Sequence, residues 1–543
     1  MDASTHGIDA LTLDILWQRL IGTVDEQAAA LMRSSFTSIV RDSGDLSAGV
    51  FDRRGRMVAQ AVTGTPGHIN SMATGMVHML QKYPLDTLVE GDVLITNDPW
   101  MTASQLNDIT VTTPIFRNGR IVAFFASCCH ALDIGGRGLS ADSRSVYEEG
   151  LALPIMKLVD AGALVQPILD IVAANSRTPE EVLGDLHSQI VGNAVGGRQL
   201  LGFMDEFALD DIEALSDAII ERSEVATKAA IAALPDGAYS YALDIDGFET
   251  PIRIAVTVRV AGDVLEADFT GSSDAVPLGV NVAVNYTRAY GTYGIKCALC
   301  PEVPNNEGAF RTIRITAPEG SILNAKRPAA TAGRHLVGHF LPSAIMGALA
   351  GALPDAVAAP GSDGLWDTHI AGEDRQGRSF SFTWFSSGGV GAMAGRDGLS
   401  ATAYPSGIAG VPVEVIETRA PIVIRDRTLV VDSGGRGRHR GGLGQAMTFE
   451  VLTDKPFLFS GLYERVKIPA PGLAGGEPGA SGQLSAVGPD GAPMALEPKM
   501  TTTLPAGTVV SLALPGGGGY GPPDERDTAA VAEDLADGYV TRR

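Results

Sequence analysis

The stretch "DITVTTPIFRNGRIVAFFAS", residues 108–127, decides how this chain folds. Two apolar runs flank Asn118-Gly119, a dipeptide that is typical of a tight β-hairpin turn. Asp108 stands ten residues before this turn, and His130 stands eleven residues after it. Antiparallel pairing therefore predicts that Asp108 and His130 lie side by side at the open end of the hairpin.

Further elements surround this hairpin. Residues 9–40 carry apolar side chains at helical spacing and predict one long amphipathic helix. The segment "SAGVFDRRGRMVAQAV" predicts a second hairpin, and "GDVLITND" predicts a further strand. Helices return between residues 160 and 234, where "NSRTPEEVL" offers a Thr cap, a Pro at the first helical position and two acidic residues in the first turn.

The pattern changes near residue 236, and two regions are predicted on either side. Residues 1–235 form an α+β region of helices and β-hairpins that carries the candidate metal site. Residues 236–543 form a β-rich, Gly-rich region that ends in the acidic tail "DERDTAAVAEDLADG". A chain of 543 residues exceeds one ordinary core, so we expect a multi-domain α+β protein.

Charge and composition exclude several classes of protein. With 41 Lys and Arg against 63 Asp and Glu, the net charge of −22 argues against binding to nucleic acid. No apolar run is long enough to span a membrane, and the N-terminus lacks the features of a secretory signal, so a cytoplasmic protein is expected. Four Cys do not make a disulfide framework, and the "CALC" pair is interpreted as buried on a helix.

The common catalytic and nucleotide-binding motifs are absent. The sequence has no GxxxxGK[ST] phosphate loop and no GxSxG nucleophile turn. The Gly-rich stretches "GGVGAMAG" and "LPGGGGYG" are interpreted as tight turns and close backbone packing, because neither lies between an evident strand and a helix start. Any ATP is therefore expected on a partner.

Polar residues around the first hairpin form a candidate metal site. Asp42 lies between the first helix and the first strand, and Gln105 precedes Asp108 by three residues. An Asp and a neutral imidazole, as in His130, suit a divalent cation such as zinc, manganese or iron. The same cluster also suits a hydrogen-bonded structural group. His68 in "GTPGHINSM" fits either a helix cap or a donor that faces substrate.

A second pair of histidines, His335 and His339 in "GRHLVGHF", has the four-residue spacing of zinc-protease ligands. No Glu follows His335, so packing on a helix face is the favoured interpretation of this pair.

Many ordered stretches resemble one family. They are "SGDLSAGVFDRRGRMVAQ", "GHINSM", "GDVLITNDPW", "LNDITVTTPIF", "HALDIGG", "YEEGLALP", "ADFTGSSDAVPLGVN", "PVEVIETRAP" and "DSGGRGRHRGGLG". The chain resembles the hydantoinase B / oxoprolinase family over nearly its whole length. That family includes N-methylhydantoinase B subunits, the matching region of 5-oxoprolinase, and the α-type subunits of acetone and acetophenone carboxylases.

The resemblance implies a division of labour. A separate hydantoinase A-type, actin-like ATPase subunit binds ATP and phosphorylates the oxygen of a lactam or ketone substrate. The B-type subunit then completes the reaction, with metal-activated water attacking the amide or with carboxylation of an enol phosphate. A hetero-oligomer is therefore expected, with a divalent metal ion (zinc, manganese or magnesium) on this chain.

Carried over residue by residue, the resemblance places the metal on Asp42, Gln105, Asp108 and His130. Family members commonly have His where this chain has Gln105. An amide oxygen binds manganese or magnesium more readily than zinc, so the site is expected to prefer one of those metals, to bind metal poorly or to have lost it. His68 and Asp133 would then be catalytic residues: both orient the substrate or the ligands, and His68 moves protons for the leaving nitrogen.

Three functions follow as hypotheses. The first is the catalytic subunit of an ATP-dependent hydrolase of cyclic amides of the hydantoin, lactam or oxoproline type. The second is a subunit of an ATP-dependent ketone carboxylase. The third is a non-catalytic assembly subunit that lost its site when His became Gln.

Overall fold

The computed structural model describes residues 6–541, and within these residues four β-sheets carry the fold. Helices pack against the sheets, so the chain is a multi-domain α+β protein, as the sequence predicts. The last helix of the first region ends at Ala232 and the next strand begins at Gly237. The change in character near residue 236 is therefore real, whereas the division into two domains there stays a prediction.

The first sheet has seven strands in the order β2-β1-β5-β4-β3-β6-β7. The strands are β1 (Leu46–Asp52), β2 (Met57–Gly64), β3 (Val93–Thr96), β4 (Asp108–Arg117), β5 (Arg120–His130), β6 (Met156–Asp160) and β7 (Ala163–Leu164). The helices of this region are α1 (Ala10–Ser34), α2 (Ser38–Arg41), α3 (Pro66–Lys82), α4 (Val146–Glu149), α5 (Gln166–Asn175), α6 (Pro179–Glu206) and α7 (Glu213–Ala232). Helices α1 and α6 cover one face of the sheet.

The hairpin of β4 and β5 has the predicted register. Asp108 pairs directly with His130, while Arg117 pairs with Arg120 next to the turn. A one-residue bulge between Ile115 and Phe116 absorbs the unequal count of residues on the two sides of the turn. Both turn residues have positive φ, 51° at Asn118 and 74° at Gly119, which an Asn-Gly pair accepts at little cost.

The long helix predicted over residues 9–40 is broken, which corrects that prediction. Helix α1 ends at Ser34, and the short helix α2 starts after Thr37. Asp185 of α6 causes the break: its Oδ1 accepts the backbone N–H of Phe36 at 2.7 Å, and its Oδ2 accepts the Thr37 hydroxyl at 2.5 Å. A side-chain acceptor thus replaces helical hydrogen bonds at this point.

The second region contains three smaller sheets. The first has strands β8 (Gly237–Ile245), β9 (Ile252–Ala261), β10 (Val264–Asp268) and β11 (Ile313–Thr316). The second has β12 (Trp366–Glu373), β13 (Ser379–Ser386), β16 (Phe457–Leu462) and β19 (Lys499–Leu504). The third has β14 (Ile422–Leu429), β15 (Gln445–Val451), β17 (Gln483–Val487), β18 (Pro493–Met494) and β20 (Val509–Ala513).

Helices also occur in this second region. They are α8 (Val284–Leu299), α9 (Glu307–Phe310), α10 (His335–Gly338), α11 (Leu341–Leu349), α12 (Val413–Arg419) and α13 (Thr528–Ala536). The acidic tail therefore contains a helix. Two ion pairs tie the tail to the body of the protein: Asp534 in α13 binds Arg440, and Arg526 binds Asp397. Cys297 lies half-buried in α8, and Cys300 lies buried at the C-terminal end of this helix, so the predicted burial of the "CALC" pair is complete only for Cys300.

The Gly-rich stretches pack backbone against backbone, as predicted. The N–H of Gly517 donates to the carbonyl of Gly442 at 2.9 Å, and the N–H of Gly389 donates to the carbonyl of Pro515 at 3.0 Å. A Cβ atom on Gly389 would lie 1.9 Å from the carbonyl oxygen of Gly442, so only glycine fits. Among the residues that the structure describes, no helix is long and apolar enough to cross a membrane.

Candidate active site

A small buried cavity of about 30 Å³, the volume of about one water molecule, lies where the open end of the β4–β5 hairpin meets α10 and strand β12. One wall, the hairpin wall, carries Asp45, His68, Gln105 and His130. The other, the far wall, carries His335, His339 and Asp367 together with apolar side chains. Residues from both regions of the chain therefore enclose one space.

Asp108 is the centre of the hairpin wall, although it lies behind the residues that line the cavity. Its Oδ1 accepts a hydrogen bond from Nδ1 of His130 at 3.0 Å, and its Oδ2 lies 3.0 Å from Nε2 of His68. The same Oδ2 accepts a hydrogen bond from the guanidinium of Arg334. Burial alone raises the pKa of Asp108, but Arg334 and the histidines outweigh burial and hold this pKa well below 3.8.

Arg334 is a buried cation, and each of the three nitrogens of its guanidinium donates a hydrogen bond. Its Nε donates to the carbonyl of Ala103 at 2.6 Å, and its two terminal nitrogens donate to Gln105 Oε1 and Asp108 Oδ2. The guanidinium also lies 4.4 Å from the centre of the Tyr286 ring. A fixed positive charge therefore stands at the cavity, beside the carboxylate that the sequence assigned to a metal.

The segment that leads to Arg334 is held by a buried carboxyl group. Glu149 accepts the backbone N–H groups of Thr331 at 2.6 Å and Ala332 at 2.8 Å, and the Gln105 amide donates to the carbonyl of Ala332 at 2.6 Å. Burial raises the pKa of Glu149 to about 7. The "YEEGLALP" stretch thus supports the site from behind.

Asp45 occupies the place that the sequence assigned to Asp42. The Oδ1 of Asp45 lies 3.7 Å from Nδ1 of His68, and its Oδ2 lies 3.9 Å from Nδ1 of His130. Burial raises the pKa of Asp45, and the two histidines offset only part of the effect. Asp42 instead pairs with Arg41 at 2.9 Å and is not among the cavity residues.

The far wall carries ionisable residues that the sequence did not assign to chemistry. The Oδ2 of Asp367 lies 3.3 Å from Nε2 of His335, whereas its Oδ1 has no hydrogen-bond partner. Burial, reinforced by the negative charge of Asp45, raises the pKa of Asp367 well above its ordinary value. Burial lowers the pKa of His339 to about 3, and it holds the pKa of His335 well below its ordinary value. The two histidines pack together, as predicted, but they also line the cavity.

Close glycine contacts place His68. Gly67 lies one residue before it in the first turn of α3, and a Cβ atom there would lie 2.3 Å from Cε2 of Tyr286. On the other edge of the same ring, a Cβ atom on Gly338 of α10 would lie 2.4 Å from Cε1. The Tyr286 ring is therefore clamped between the helices that carry residues of the two walls. "GHINSM" needs its glycine for this approach.

Asp133 lies away from the cavity. Its carboxylate binds the guanidinium of Arg177 at 2.6 Å and accepts the backbone N–H of Gly135 at 3.1 Å, which joins the loop after β5 to the segment before α6. Arg177 holds the pKa of Asp133 below its ordinary value, although burial acts in the opposite direction. The structure does not bring Asp133 together with His68, and its predicted role in orienting substrate stays a prediction.

The predicted metal ligands do not fit a metal centre in this arrangement. Gln105 Oε1 and Asp108 Oδ2 both accept hydrogen bonds from Arg334, and Asp42 is elsewhere. Within residues 6–541, no group of three or more His, Cys, Asp or Glu is placed to hold a metal ion. The arrangement instead offers hydrogen-bonded imidazoles, a buried cation and a buried carboxyl on opposite sides of one space, which suits proton transfer.

The family model described as Hydantoinase B/oxoprolinase matches residues 9–523. The chain belongs to the hydantoinase B/oxoprolinase family. It is 27% identical to the caprolactamase subunit beta of Pseudomonas jessenii, over 98% of this chain and 94% of that one.

Two solved structures have the same fold as this chain. The ATP-dependent caprolactamase from Pseudomonas jessenii superposes with a TM-score of 0.89 at 26% identity, over 98% of this chain and 94% of that one. A nucleotide-free acetone carboxylase superposes with a TM-score of 0.87 at 21% identity, over 98% of this chain and 78% of that one. At that identity, the acetone carboxylase shows the fold alone.

Proposed function

We propose that this chain is the catalytic B-type subunit of an ATP-dependent hydrolase that opens cyclic amides. It works with a hydantoinase A-type, actin-like ATPase subunit in a hetero-oligomer. The observation that carries the proposal is the likeness in sequence and fold to an ATP-dependent caprolactamase and its subunit beta, over 98% of this chain. The lack of a phosphate-loop motif in the sequence agrees with ATP binding on the partner.

In this proposal the partner phosphorylates the amide oxygen of the ring, which makes the ring carbon an electrophile. The activated carbon then meets the edge of the cavity of this chain, which has room for about one water molecule, and that water attacks the carbon. Nδ1 of His68 is buried and has no hydrogen-bond partner, so it is free to take the proton of the water. Asp108, 3.0 Å from Nε2 of the same imidazole, orients the ring and stabilises its protonated form.

Arg334 supplies positive charge for the same step. A phosphorylated substrate is an anion, and the guanidinium lines the cavity whose edge it would meet. In a buried site such a charge acts more strongly than in water, and it needs no rearrangement as the reaction proceeds. The predicted divalent metal ion would supply a Lewis acid, but no step here runs through it, and it stays a prediction. The cytoplasmic location also stays a prediction.

The experiment that tests this function uses the complex with its ATPase partner. The complex is incubated with ε-caprolactam, 5-oxoproline or hydantoin, with and without ATP, and the free amine or acid is measured. ATP-dependent ring opening without bicarbonate is expected. ATP-dependent and bicarbonate-dependent loss of acetone, with all three rings left intact, would refute the proposal in favour of the ketone carboxylase.

The His68→Ala variant tests the assigned base. Removal of a general base typically costs about 10²–10⁴-fold in rate. His78→Ala is the matched control, because His78 lies on the same helix but outside the cavity. Full activity of His68→Ala would refute the assigned base. Full activity of Asp108→Ala or His130→Ala would favour the assembly role, in which this chain performs no chemistry.

A further inference from the structure

Two buried aspartates flank the cavity, and their surroundings differ in kind. Asp108, behind the hairpin wall, receives hydrogen bonds from His130 and Arg334 and lies 3.0 Å from His68. Asp367, on the far wall, has one oxygen with no partner and the other 3.3 Å from His335. Both side chains are almost completely shielded from solvent. The first environment favours a carboxylate, and the second favours a neutral carboxylic acid.

The neighbours of Asp367 strengthen this difference. It lies on β12, and its cross-strand neighbours are the apolar Phe385 of β13 and Leu462 of β16. The Asp45 carboxyl across the cavity raises the pKa of Asp367, and the more distant Arg334 only partly offsets this effect. Burial, reinforced by the positive charge of Arg334, holds the pKa of His335 well below its ordinary value, so this imidazole stays neutral and does not withdraw the proton.

We propose that Asp367, whose Oδ2 lies 3.3 Å from Nε2 of His335, is the acid that protonates the ring nitrogen as the carbon–nitrogen bond breaks. This proposal rests on the function proposed above. It divides the two proton transfers between the walls: His68 takes the proton of water on the hairpin wall, and Asp367 gives a proton to nitrogen from the far wall. The unpartnered Oδ1 of Asp367 is the atom that carries this proton to the cavity.

Water adds to the activated C=N carbon, its oxygen binds carbon, and the proton that His68 removes is returned to nitrogen. The tetrahedral carbon then bears a hydroxyl, the phosphate and the nitrogen. When the C–N bond breaks, its electron pair goes to nitrogen, which takes the Asp367 proton. The hydroxyl loses its proton, which restores Asp367, and an acyl phosphate remains that a second water hydrolyses to the acid and phosphate.

The same tetrahedral intermediate can also break down without ring opening, so the acid determines which of the two bonds breaks. If phosphate leaves before nitrogen is protonated, the ring amide re-forms and one ATP has been hydrolysed without ring opening. Phosphate is a far better leaving group than an unprotonated amine. An acid next to the nitrogen therefore controls how many ATP molecules are consumed per ring opened.

The test is the ratio of phosphate released to amine formed, measured with ε-caprolactam in the assembled complex. In Asp367→Asn the ratio is expected to rise by about tenfold or more, because ring opening falls by about 10²-fold while phosphate release persists. Asp363→Asn is the matched control: this buried aspartate lies four residues away, interacts with Arg465, and is not among the cavity residues. Its ratio should equal that of wild type.

A misfolded variant would also raise the ratio, because the partner would still consume ATP without ring opening. The ratio is therefore measured only on complex that size-exclusion chromatography and thermal unfolding show to be assembled and folded. An unchanged ratio in Asp367→Asn would overturn the inference while the hydrolase function stands. If that variant does not assemble, His335→Gln decides the matter, with a raised ratio expected and a wild-type ratio against it. Failure of the wild-type complex to open any ring with ATP would overturn the proposed function itself, and the inference with it.

Discussion

Replacement of Gly67 by Ala tests whether the clamp on Tyr286 sets the position of His68. A Cβ atom there lies 2.3 Å from Cε2 of the ring, whereas ordinary contact begins at 3.4 Å. The ring and α3 must therefore separate by about 1.1 Å, the difference between these distances. The other edge of the ring faces Gly338 so closely that a Cβ atom there would lie 2.4 Å away, so the ring has little room to retreat and α3 must move.

This movement acts on the next residue of the helix. His68 Nε2 lies 3.0 Å from Asp108 Oδ2, and a displacement of about 1 Å takes the pair beyond hydrogen-bond distance. A misplacement of that size costs about 10²-fold in rate, and overpacking costs about 1–3 kcal/mol in the free energy of unfolding. The assay is ATP-dependent ring opening by the complex, alongside thermal unfolding of each variant.

Gly22→Ala is the matched control for this substitution. Gly22 lies within α1, and a Cβ atom there has no neighbour within 4 Å. Helix propensity then predicts a gain of about 1 kcal/mol with no loss of activity. A Gly67→Ala enzyme with a rate within twofold of wild type would refute the clamp as the device that places His68.

Two further predictions concern the metal and the buried Glu149. Metal analysis by plasma mass spectrometry should find little metal in wild type, because Arg334 already binds the oxygens of Gln105 and Asp108. Near-stoichiometric metal in wild type that is lost in His130→Ala would contradict this prediction and support the predicted metal site. The pKa of Glu149 is raised from 4.5 to about 7, so its contribution to stability is present below pH 4.5 and is lost as pH rises through 7, by about 3 kcal/mol. Glu149→Gln should therefore have a higher thermal midpoint than wild type at pH 8 but not at pH 4.5, and equal midpoints at pH 8 would contradict the shift.

Local patterns predicted the first hairpin and the meeting of Asp108 with His130. Alternation, turn chemistry and a count of residues sufficed, because every quantity involved lies within about twenty residues of the turn. The break in the first helix was not predictable in this way. It depends on Asp185, which lies far along the chain and competes for the backbone only in the folded state.

The choice of Asp42 over Asp45 shows where local reasoning ends. Both stand in one short polar stretch, and Gly44 lies between them with φ of 67°, so the chain changes direction there. Sequence spacing does not reveal which carboxyl faces the cavity after such a turn.

The far wall was missed for a different reason. Asp367 follows Trp366 at the start of a strand with no motif around it, and only the packing of β12 against the first sheet reveals its place. Arg334 and His335 had one usable signal: two histidines and an arginine within "GRHLVGHF", in a stretch whose other residues are mostly apolar.

The position of the two walls in the sequence also determines when the cavity can form during synthesis and folding. Asp45 and Asp367 stand more than three hundred positions apart in the chain, so the hairpin wall is synthesised long before the far wall exists. Regions of a long chain generally fold in order as they emerge, and contacts between distant segments form last. The cavity is therefore complete only after the segment around His335 and strand β12, which are synthesised late, have packed beside the hairpin wall.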